Sequence, residues 1–337
     1  MELRPRKVIL TLAETFAITR GARDEQEVVH LELEHEGVVG FGEASPIYWW
    51  GDTADSALAF LAEEAPALVG DDPFALEAIG RRLAARPGEQ AAKSALDAAL
   101  HDWIGKRLGQ PLWRLLGLER LGPPTSYTIG LDSVEGTRAR ARRAGEFKVL
   151  KIKVGGPDDL ARLEAVREGS EARIRVDGNE GWTLETAREL MPELIALGVE
   201  LVEQPFPVDD RESFVGLREL SPGLPVVVDE GCDDLASVAP IAGYADGINV
   251  KLAKAGGLRE AVRMIHAARA LGLRVMLGCM IESELGIAPA AQIASLADDV
   301  DLDGHLLISD SPFTGLGFAD GRVVPSSRSG LGVEPRP

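Results

Sequence analysis

Five charged residues each end a short apolar run, and these runs recur along the chain at intervals of 22 to 26 residues. The five residues are Lys153, Asp177, Glu203, Asp229 and Lys251. Short runs rich in Val, Ile and Leu and closed by polar residues are typical of strands buried on both faces of a parallel sheet. The interval leaves room for one helix between successive strands. The pattern therefore predicts a (β/α) barrel, an α/β fold in which the C-terminal strand ends carry the chemistry.

Lysine is scarce in this chain and is concentrated in two of these runs. Only 8 of the 36 basic residues are lysine, yet four of the eight are Lys151, Lys153, Lys251 and Lys254. A partly buried lysine can give up its proton, whereas arginine cannot. A single lysine at a strand end would simply extend to solvent, but two that bracket three carboxylates favour acid/base roles for Lys153 and Lys251. Lys151, a like charge on the same strand face, is expected to assist by lowering the pKa of Lys153.

The three carboxylates between these lysines predict a metal site. Asp177, Glu203 and Asp229 offer oxygen ligands from three adjacent strands, with no His or Cys among them. Such a set favours Mg²⁺ over zinc. The alternative is that each acid pairs with a neighbouring lysine in the barrel lumen, since buried Asp and Glu need a partner. The two interpretations are compatible with each other.

Composition excludes several classes of function. The net charge of −18 argues against nucleic acid and anionic membranes as partners. No stretch reaches 18 apolar residues, and the N-terminus has no apolar core typical of a signal peptide, so we expect a cytoplasmic protein. The two cysteines, Cys232 and Cys279, provide neither a disulfide framework nor a zinc pattern.

The remaining sequence predicts a second domain. Residues 4–43 read as an antiparallel meander, and helices are predicted over 52–67, 73–84 and 89–108. We expect an α+β domain over 1–125, the barrel over 126–310 and a C-terminal segment over 311–337 that packs on the first domain. Within the barrel, strand 1 is predicted near SYTIG and strand 8 near HLLIS.

The motifs KIKVGG, VDGN, VEQP, VDEG and NVKLAKAGG, in this order and spacing, resemble those of the enolase superfamily, in its muconate-cycloisomerase-like branch. The resemblance covers essentially the whole chain. It implies a modified TIM barrel of seven or eight strands with an α+β capping domain. It also implies Mg²⁺ on Asp177, Glu203 and Asp229, and acid/base roles for Lys153 and Lys251.

The run DVDLDG, which places Asp301 and Asp303 at strand 8 and on one face, distinguishes between activities within this branch. It resembles the Asp-x-Asp signature of dipeptide epimerases, which implies that Asp301 and Asp303 hold the terminal ammonium of the substrate. Two carboxylates in a site suit a cation whatever the family. The alternative is a solvated acidic turn. The neighbouring run LGCMIESELG places Cys279 and Met280 in the predicted substrate wall, where Cys279 is expected to be a small wall residue and not a nucleophile.

Two loops of the first domain are expected to set substrate specificity. Arg20 or Arg23 could clamp a side-chain carboxylate such as that of glutamate. The loop with Tyr48, Trp49 and Trp50 could instead line a pocket for an apolar side chain, or only pack the cap on the barrel. The sequence does not decide among these alternatives.

Together these features predict a Mg²⁺-dependent epimerase of L-Ala-D/L-Xaa dipeptides, with glutamate the favoured second residue. The expected binding partner is then a small dipeptide substrate. The sequence is also compatible with a homo-oligomer. The alternatives are an N-acylamino acid racemase or o-succinylbenzoate synthase, whose substrates lack a free ammonium and leave Asp301 and Asp303 unexplained. From other classes, an inactive barrel that binds metal and ligand, or a Schiff-base aldolase, would also place lysines in a barrel.

Overall fold

The computed structural model describes residues 1–337 and begins with a three-stranded antiparallel sheet. Its strands are β1 (Glu2–Ile18), β2 (Gly21–His35) and β3 (Val38–Ala44), in the order β1-β2-β3. The β2–β3 turn consists of Glu36 and Gly37, both with positive φ (48° and 75°), as a two-residue hairpin requires. The predicted meander is therefore present, and the β1–β2 hairpin extends to Thr19 and Arg20 at its tip.

Five helices cover one face of this sheet and complete the cap, the name used below for β1–β3 with these helices. They are α1 (Ala54–Ala59), α2 (Ala65–Val69), α3 (Leu76–Ala84), α4 (Gln90–Leu108) and α5 (Leu112–Leu115). The helix predicted over 52–67 is interrupted by a π-helical stretch, Phe60–Glu64. Thr53 caps its start through a reciprocal capping box with Ser56.

Eight parallel strands form the barrel. They are β4 (Ser126–Ile129), β5 (Val149–Lys153), β6 (Arg173–Asp177), β7 (Val199–Glu203), β8 (Val226–Val228), β9 (Gly247–Lys251), β10 (Arg274–Gly278) and β11 (Asp299–Asp301). Neighbours in sequence are neighbours in the sheet, and a bridge between Thr125 and Val300 joins the first strand to the last. The expected barrel with an α+β cap is thus confirmed, with eight strands.

The helices outside the barrel alternate with its strands. They are α6 (Val134–Arg143), α7 (Asp159–Gly169), α8 (Leu184–Ala196), α9 (Arg211–Leu220), α10 (Leu235–Ile241), α11 (Leu252–Ala255), α12 (Leu258–Ala270) and α13 (Glu284–Ile293). Their buried faces and the outward faces of the strands form one large apolar core. A second apolar core lies within the cap, between the sheet and α4.

The position predicted for the last barrel strand is wrong. The run HLLIS does not form a strand; Gly304–Leu306 is a single 3₁₀ turn, and the eighth strand is the preceding Asp299–Asp301. Asp301, which was expected at strand 8, is thus its last residue, whereas Asp303 lies beyond it. Two aspartates facing a barrel interior are unfavourable unless cations meet them. Arg175 pairs with Asp299 (2.7 Å) and Lys151 with Asp301 (2.8 Å).

Buried side chains fill the barrel at its N-terminal end. Arg175 is buried and donates to both Asp299 (2.7 Å) and Glu200 (2.6 Å). Its register partner on β7, Leu201, forms a fully buried apolar cluster with Val227 and Met276. The lumen is therefore filled at the bottom, and its C-terminal end is the end that can receive a ligand.

The C-terminal segment follows the barrel and contacts both α4 and the barrel helix α13. It contains β12 (Phe313–Thr314), β13 (Gly317–Ala319), β14 (Arg322–Val324) and β15 (Glu334–Pro335). Asp102 on α4 accepts hydrogen bonds from the backbone N–H of Phe41 (2.9 Å) and of Leu331 (2.8 Å). One buried carboxylate thus ties the cap sheet, α4 and the C-terminal segment together. None of the helices has both the length and the apolar character needed to cross a membrane.

The close approach of β3 and α4 yields a stability prediction. A Cβ atom at Gly42 would lie 1.9 Å from the carbonyl oxygen of Ala95, which is helix backbone and cannot turn away. We expect Gly42→Ala to lower the free energy of unfolding by ~1–3 kcal/mol through overpacking, measured by urea denaturation.

A matched substitution elsewhere in the cap should instead raise the free energy of unfolding. A Cβ at Gly80, inside α3, meets only the Arg259 side chain at 3.8 Å. Gly80→Ala should therefore stabilise the protein by ~0.5–1 kcal/mol through helix propensity. Equal effects of the two substitutions would contradict this account of the cap.

Candidate active site

The charged residues singled out in the sequence meet at the C-terminal end of the barrel. Lys153, Asp177, Glu203 and Lys251 are the last residues of β5, β6, β7 and β9, and Asp229 directly follows β8. The parallel register places Lys153 beside Asp177 and Asp177 beside Glu203. All five side chains are buried. The three carboxylates thus occupy three adjacent strands, flanked on either side by a lysine.

Lys151 is the cation at the centre of this cluster. Its Nζ lies 2.9 Å from Asp177, 2.7 Å from Glu203 and 2.8 Å from Asp301. Burial disfavours the charged amine, but these carboxylates together raise the pKa of Lys151 well above its usual value. Lys151 is therefore a permanent cation, which balances a lumen rich in carboxylates.

The two lysines proposed as acid and base lie on opposite walls, each bonded to one of the carboxylates between them. Lys153 Nζ donates to Asp177 Oδ2, and Lys251 Nζ donates to Asp229 Oδ2, both at 2.7 Å. Burial opposes the charge on Lys251, but Asp229 more than compensates and raises its pKa. In this arrangement Lys251 is protonated and can act as a proton donor.

The carboxylates themselves differ in how well they are compensated. Burial works against ionisation of all three, but the adjacent lysines hold the pKa values of Asp177 and Asp229 well below the usual range. Burial and the negative charge of Asp177 instead raise the pKa of Glu203 to about 7. The cluster therefore has room for more positive charge than its lysines supply.

Unpartnered oxygen atoms show where such a cation would fit. Asn249 Oδ1, Asn179 Oδ1 and Glu230 Oε2 are buried without a hydrogen-bond donor, and Glu203 Oε2 meets only the Lys151 ammonium (2.7 Å). As they stand, the acidic side chains are turned onto lysines and do not form a ready cage of three or more ligands. The donor set is nonetheless all oxygen, which is the chemistry that Mg²⁺ prefers, so the residues fit this ion.

Asp301, the last residue of β11, and Asp303, two residues later, also line the pocket. Asp301 is fully engaged, because Oδ2 binds Lys151 (2.8 Å) and Oδ1 accepts from the Ser126 hydroxyl (2.6 Å). Asp303 accepts from the backbone N–H of Thr128 (2.6 Å) through Oδ2. Burial and the charge of Asp301 raise the pKa of Asp303 to about 7. Asp303 thus has backbone N–H donation but no ion-pair partner.

The cap closes the pocket through the β1–β2 hairpin and the Tyr48–Trp50 turn. Arg20 binds two barrel carboxylates, Glu180 and Glu230, at 2.6 Å each. Arg23 instead stacks on the ring of Tyr48 (4.2 Å to the centroid) and donates to the Gln26 amide, with no carboxylate partner. Both arginines line the pocket, but only Arg23 offers an unneutralised charge.

The aromatic turn contributes to the pocket wall as well. Tyr48 and Trp49 line the pocket, whereas Trp50 is partly exposed beside it. Opposite them, Cys279 and Met280 form part of the wall. Burial and the charge of Asp303 raise the pKa of the Cys279 thiol well above its usual value, which suits a wall residue and not a nucleophile.

Several buried residues in or beside the pocket were given no role from the sequence. Lys254 is buried against Asp229 (2.7 Å), and Asn249 donates to Glu203 Oε1 (2.8 Å). Glu230 and Asn179 bond to each other (3.2 Å) beneath Arg20. The signal for Asn249 was available, because it precedes Lys251 by two residues on a strand and so shares its face, as Lys151 does with Lys153.

Comparison with known proteins agrees with this architecture. Residues 2–117 match the mandelate racemase / muconate lactonizing enzyme N-terminal domain, and residues 134–337 match the enolase C-terminal domain-like family. The chain therefore belongs to the mandelate racemase / muconate lactonizing enzyme family of the enolase superfamily.

Relatives with assigned activities are similar over nearly the whole chain. The L-Ala-D/L-Glu epimerase of Bacteroides thetaiotaomicron is 38% identical over 328 residues, which cover 96% of this chain and 85% of the relative. The hydrophobic dipeptide epimerase of Roseobacter litoralis is 36% identical, covering 94% and 93% of the two chains.

Solved structures show the same similarity. The substrate-liganded L-Ala-D/L-Glu epimerase from Bacillus subtilis superposes with a TM-score of 0.93 at 31% identity, covering 99% of this chain and 98% of that one. A dipeptide epimerase from Enterococcus faecalis, complexed with Mg and L-Leu-L-Tyr, gives 0.90 at 30% identity and 98% coverage of both chains.

The central position of Lys151 predicts a large effect on stability. Lys151→Met keeps most of the side-chain volume but leaves three buried carboxylates without their common cation. We expect a loss of ~3–5 kcal/mol in the free energy of unfolding, measured by urea denaturation without divalent cations. Lys148→Met removes an exposed pair with Asp320 at the start of the same strand and should change stability by less than ~1 kcal/mol. Comparable losses in the two variants would rule out Lys151 as the centre of charge balance.

Proposed function

We propose that this protein is a Mg²⁺-dependent dipeptide epimerase. It inverts the α-carbon of the C-terminal residue of an L-Ala-D/L-Xaa dipeptide, with glutamate as the preferred residue, by a 1,1-proton transfer between two lysines. The observation that carries the proposal is the placement of Lys153 and Lys251 on opposite walls of one pocket, with three carboxylates between them and Asp303 facing them.

The metal would be held by Asp177, Glu203 and Asp229. When bound, Mg²⁺ supplies the positive charge that makes the α-proton of a carboxylate substrate acidic enough to remove. The raised pKa of Glu203 and the unpartnered Asn249 oxygen beside it support this assignment. Lys151 remains beneath the site as a fixed cation and positions Asp177 and Glu203.

The lysines perform the proton transfer. One of them, in its neutral form, takes the α-proton from one face of the substrate, and the other, in its protonated form, delivers a proton to the opposite face. The net reaction is an inversion without gain or loss of atoms. Either lysine can be the base, according to which stereoisomer is bound.

The remaining residues select the substrate. Asp303, aided by the electrostatic field of Asp301, would bind the terminal ammonium of the dipeptide, which supplies the missing cation. Arg23 is the pocket cation without a carboxylate partner, and we assign it to the side-chain carboxylate of a C-terminal glutamate. Cys279 and Met280 would contact the substrate as wall residues.

We further propose a division into a cap over 1–125, a barrel over 126–310 and a C-terminal segment over 311–337 that packs on the cap. The two separate apolar cores and the Asp102–Leu331 contact support it. A cytoplasmic location is supported by two unpaired cysteines and the net charge of −18.

The epimerase activity and its two bases can be tested together in D₂O. The magnesium-loaded protein should interconvert L-Ala-L-Glu and L-Ala-D-Glu with deuterium uptake at one α-carbon, and excess chelator should abolish this. Lys153→Ala and Lys251→Ala should each lose epimerisation by at least ~100-fold, while one isomer still exchanges its proton on the intact face. NMR spectroscopy measures both processes. Normal epimerisation by either variant would eliminate the two-lysine mechanism.

The ammonium site predicts a pH dependence. Asp303 has a raised pKa of about 7, so it is ionised above this pH and protonated below it. Because only the ionised form attracts an ammonium group, kcat/KM for a free dipeptide should fall as the pH decreases through about 7. Asp303→Asn should remove this limb of the pH profile and weaken the free dipeptide far more than its N-acetyl analogue.

The N-acetyl analogue itself provides the comparison with the racemase alternative. It lacks the ammonium charge, so the wild-type enzyme should bind it more weakly by about 2–5 kcal/mol. A preference for N-acylamino acids over dipeptides would replace the epimerase assignment with N-acylamino acid racemase.

A further inference from the structure

Arg20, at the tip of the β1–β2 hairpin, spans the junction between cap and barrel. Its Nη2 lies 2.6 Å from Glu180, in the loop after β6, and 2.6 Å from Glu230, which follows Asp229. Its guanidinium also stacks against Trp49 of the aromatic turn, 5.2 Å from the ring centroid. One side chain of the hairpin thus binds two barrel loops and the second cap loop at the mouth of the pocket.

The residue before Arg20 fits into a socket in the barrel. The Thr19 hydroxyl donates to the Asn179 carbonyl (3.1 Å), and its methyl group lies over Gly155 and Gly181. Cβ atoms built at these glycines would lie 2.6 Å and 2.9 Å from this methyl, so any larger residue would displace Thr19. On the same hairpin, the Ala17 carbonyl accepts from the backbone N–H of Leu131 (2.8 Å).

The carboxylates under Arg20 depend on it to different degrees. Glu230 is buried, and apart from Arg20 its side chain accepts only from the Asn179 amide, at 3.2 Å. Glu180 is partly exposed and also accepts from the Val208 N–H (3.1 Å). Withdrawal of Arg20 would leave the Glu230 charge buried without a counter-ion, which opposes opening of the hairpin.

We propose that Arg20 is a positioning residue: it latches the tip of the β1–β2 hairpin onto the Glu180 and Glu230 loops and so holds the pocket closed, whichever side chain the substrate carries. Its charge is neutralised by Glu180 and Glu230 and is not available to a substrate carboxylate. Arg20 and Arg23, three residues apart, therefore have different tasks, closure for Arg20 and selection for Arg23.

Hydrogen exchange of the magnesium-loaded protein, followed by mass spectrometry, tests the latch directly. Arg20→Met and Glu180→Gln should each speed amide exchange in the peptide spanning residues 13–24 by at least about tenfold. Glu180→Gln keeps the shape of the side chain and its acceptor for Val208, so it removes only the charge. Arg20→Lys, which retains a cation, should restore part of the protection.

A control of the same chemical type is available on the outer helices. Arg138 on α6 also binds two carboxylates, Glu135 and Glu168, far from the pocket. Arg138→Met should leave exchange in residues 13–24 unchanged. Unchanged exchange in both Arg20→Met and Glu180→Gln would overturn the latch.

The kinetic half of the test rests on the proposed function. Arg20→Met should raise KM more than it lowers kcat, and by a similar factor, within about threefold, for L-Ala-L-Glu and L-Ala-L-Leu. Arg23→Met should impair turnover of L-Ala-L-Glu only.

A loss confined to L-Ala-L-Glu in Arg20→Met would make Arg20 a substrate clamp. Unchanged kinetics despite faster amide exchange would show that Arg20 has no positioning role. Absence of epimerisation by the wild type would defeat the proposed function, while the exchange measurements would still decide the latch.

Discussion

The ion cluster around Lys151 is the interaction on which the rest of the structure depends. A barrel lumen that carries four carboxylates at its upper end could not remain closed if their charges met no counter-ion. Lys151 contacts three of them, Asp177, Glu203 and Asp301, and thereby joins β5, β6, β7 and β11 around one atom. Because Lys151 neutralises most of this charge, Lys153 and Lys251 each bind only one carboxylate at hydrogen-bond distance. Both lysines line the pocket.

Much of the barrel was predictable because its signal is local. Each strand from β5 to β9 is a short apolar run ended by a charge, and buried parallel strands leave that imprint whatever surrounds them. The eighth strand was placed a few residues too late because its sequence, Asp-Val-Asp, is stabilised by partners over a hundred residues away, Arg175 and Lys151. The more apolar HLLIS lies after it as a turn. Apolar content therefore predicts a strand that is stabilised by burial, but not one that is stabilised by ion pairs.

The same distinction explains what the sequence could say about the pocket. The residues at strand ends were identifiable because the topology fixes where parallel strands end. Arg20 and Arg23 could not be separated, because their difference lies in what surrounds them: Glu180 and Glu230 for one, Tyr48 and Gln26 for the other. Asn249 lay within reach of the sequence, since it shares a strand face with Lys251, whereas the position of Lys254 depends on the short helix α11 that carries it back toward Asp229.

The buried Arg175 and the apolar cluster of Leu201, Val227 and Met276 fill the N-terminal end of the barrel, so the pocket opens at the C-terminal end. Anything that enters the pocket must leave by the route along which it came, past the β1–β2 hairpin. Arrival and departure of ligands, and exchange of buried water with the bulk, therefore share one passage. In a barrel open at both ends, these movements could follow separate routes.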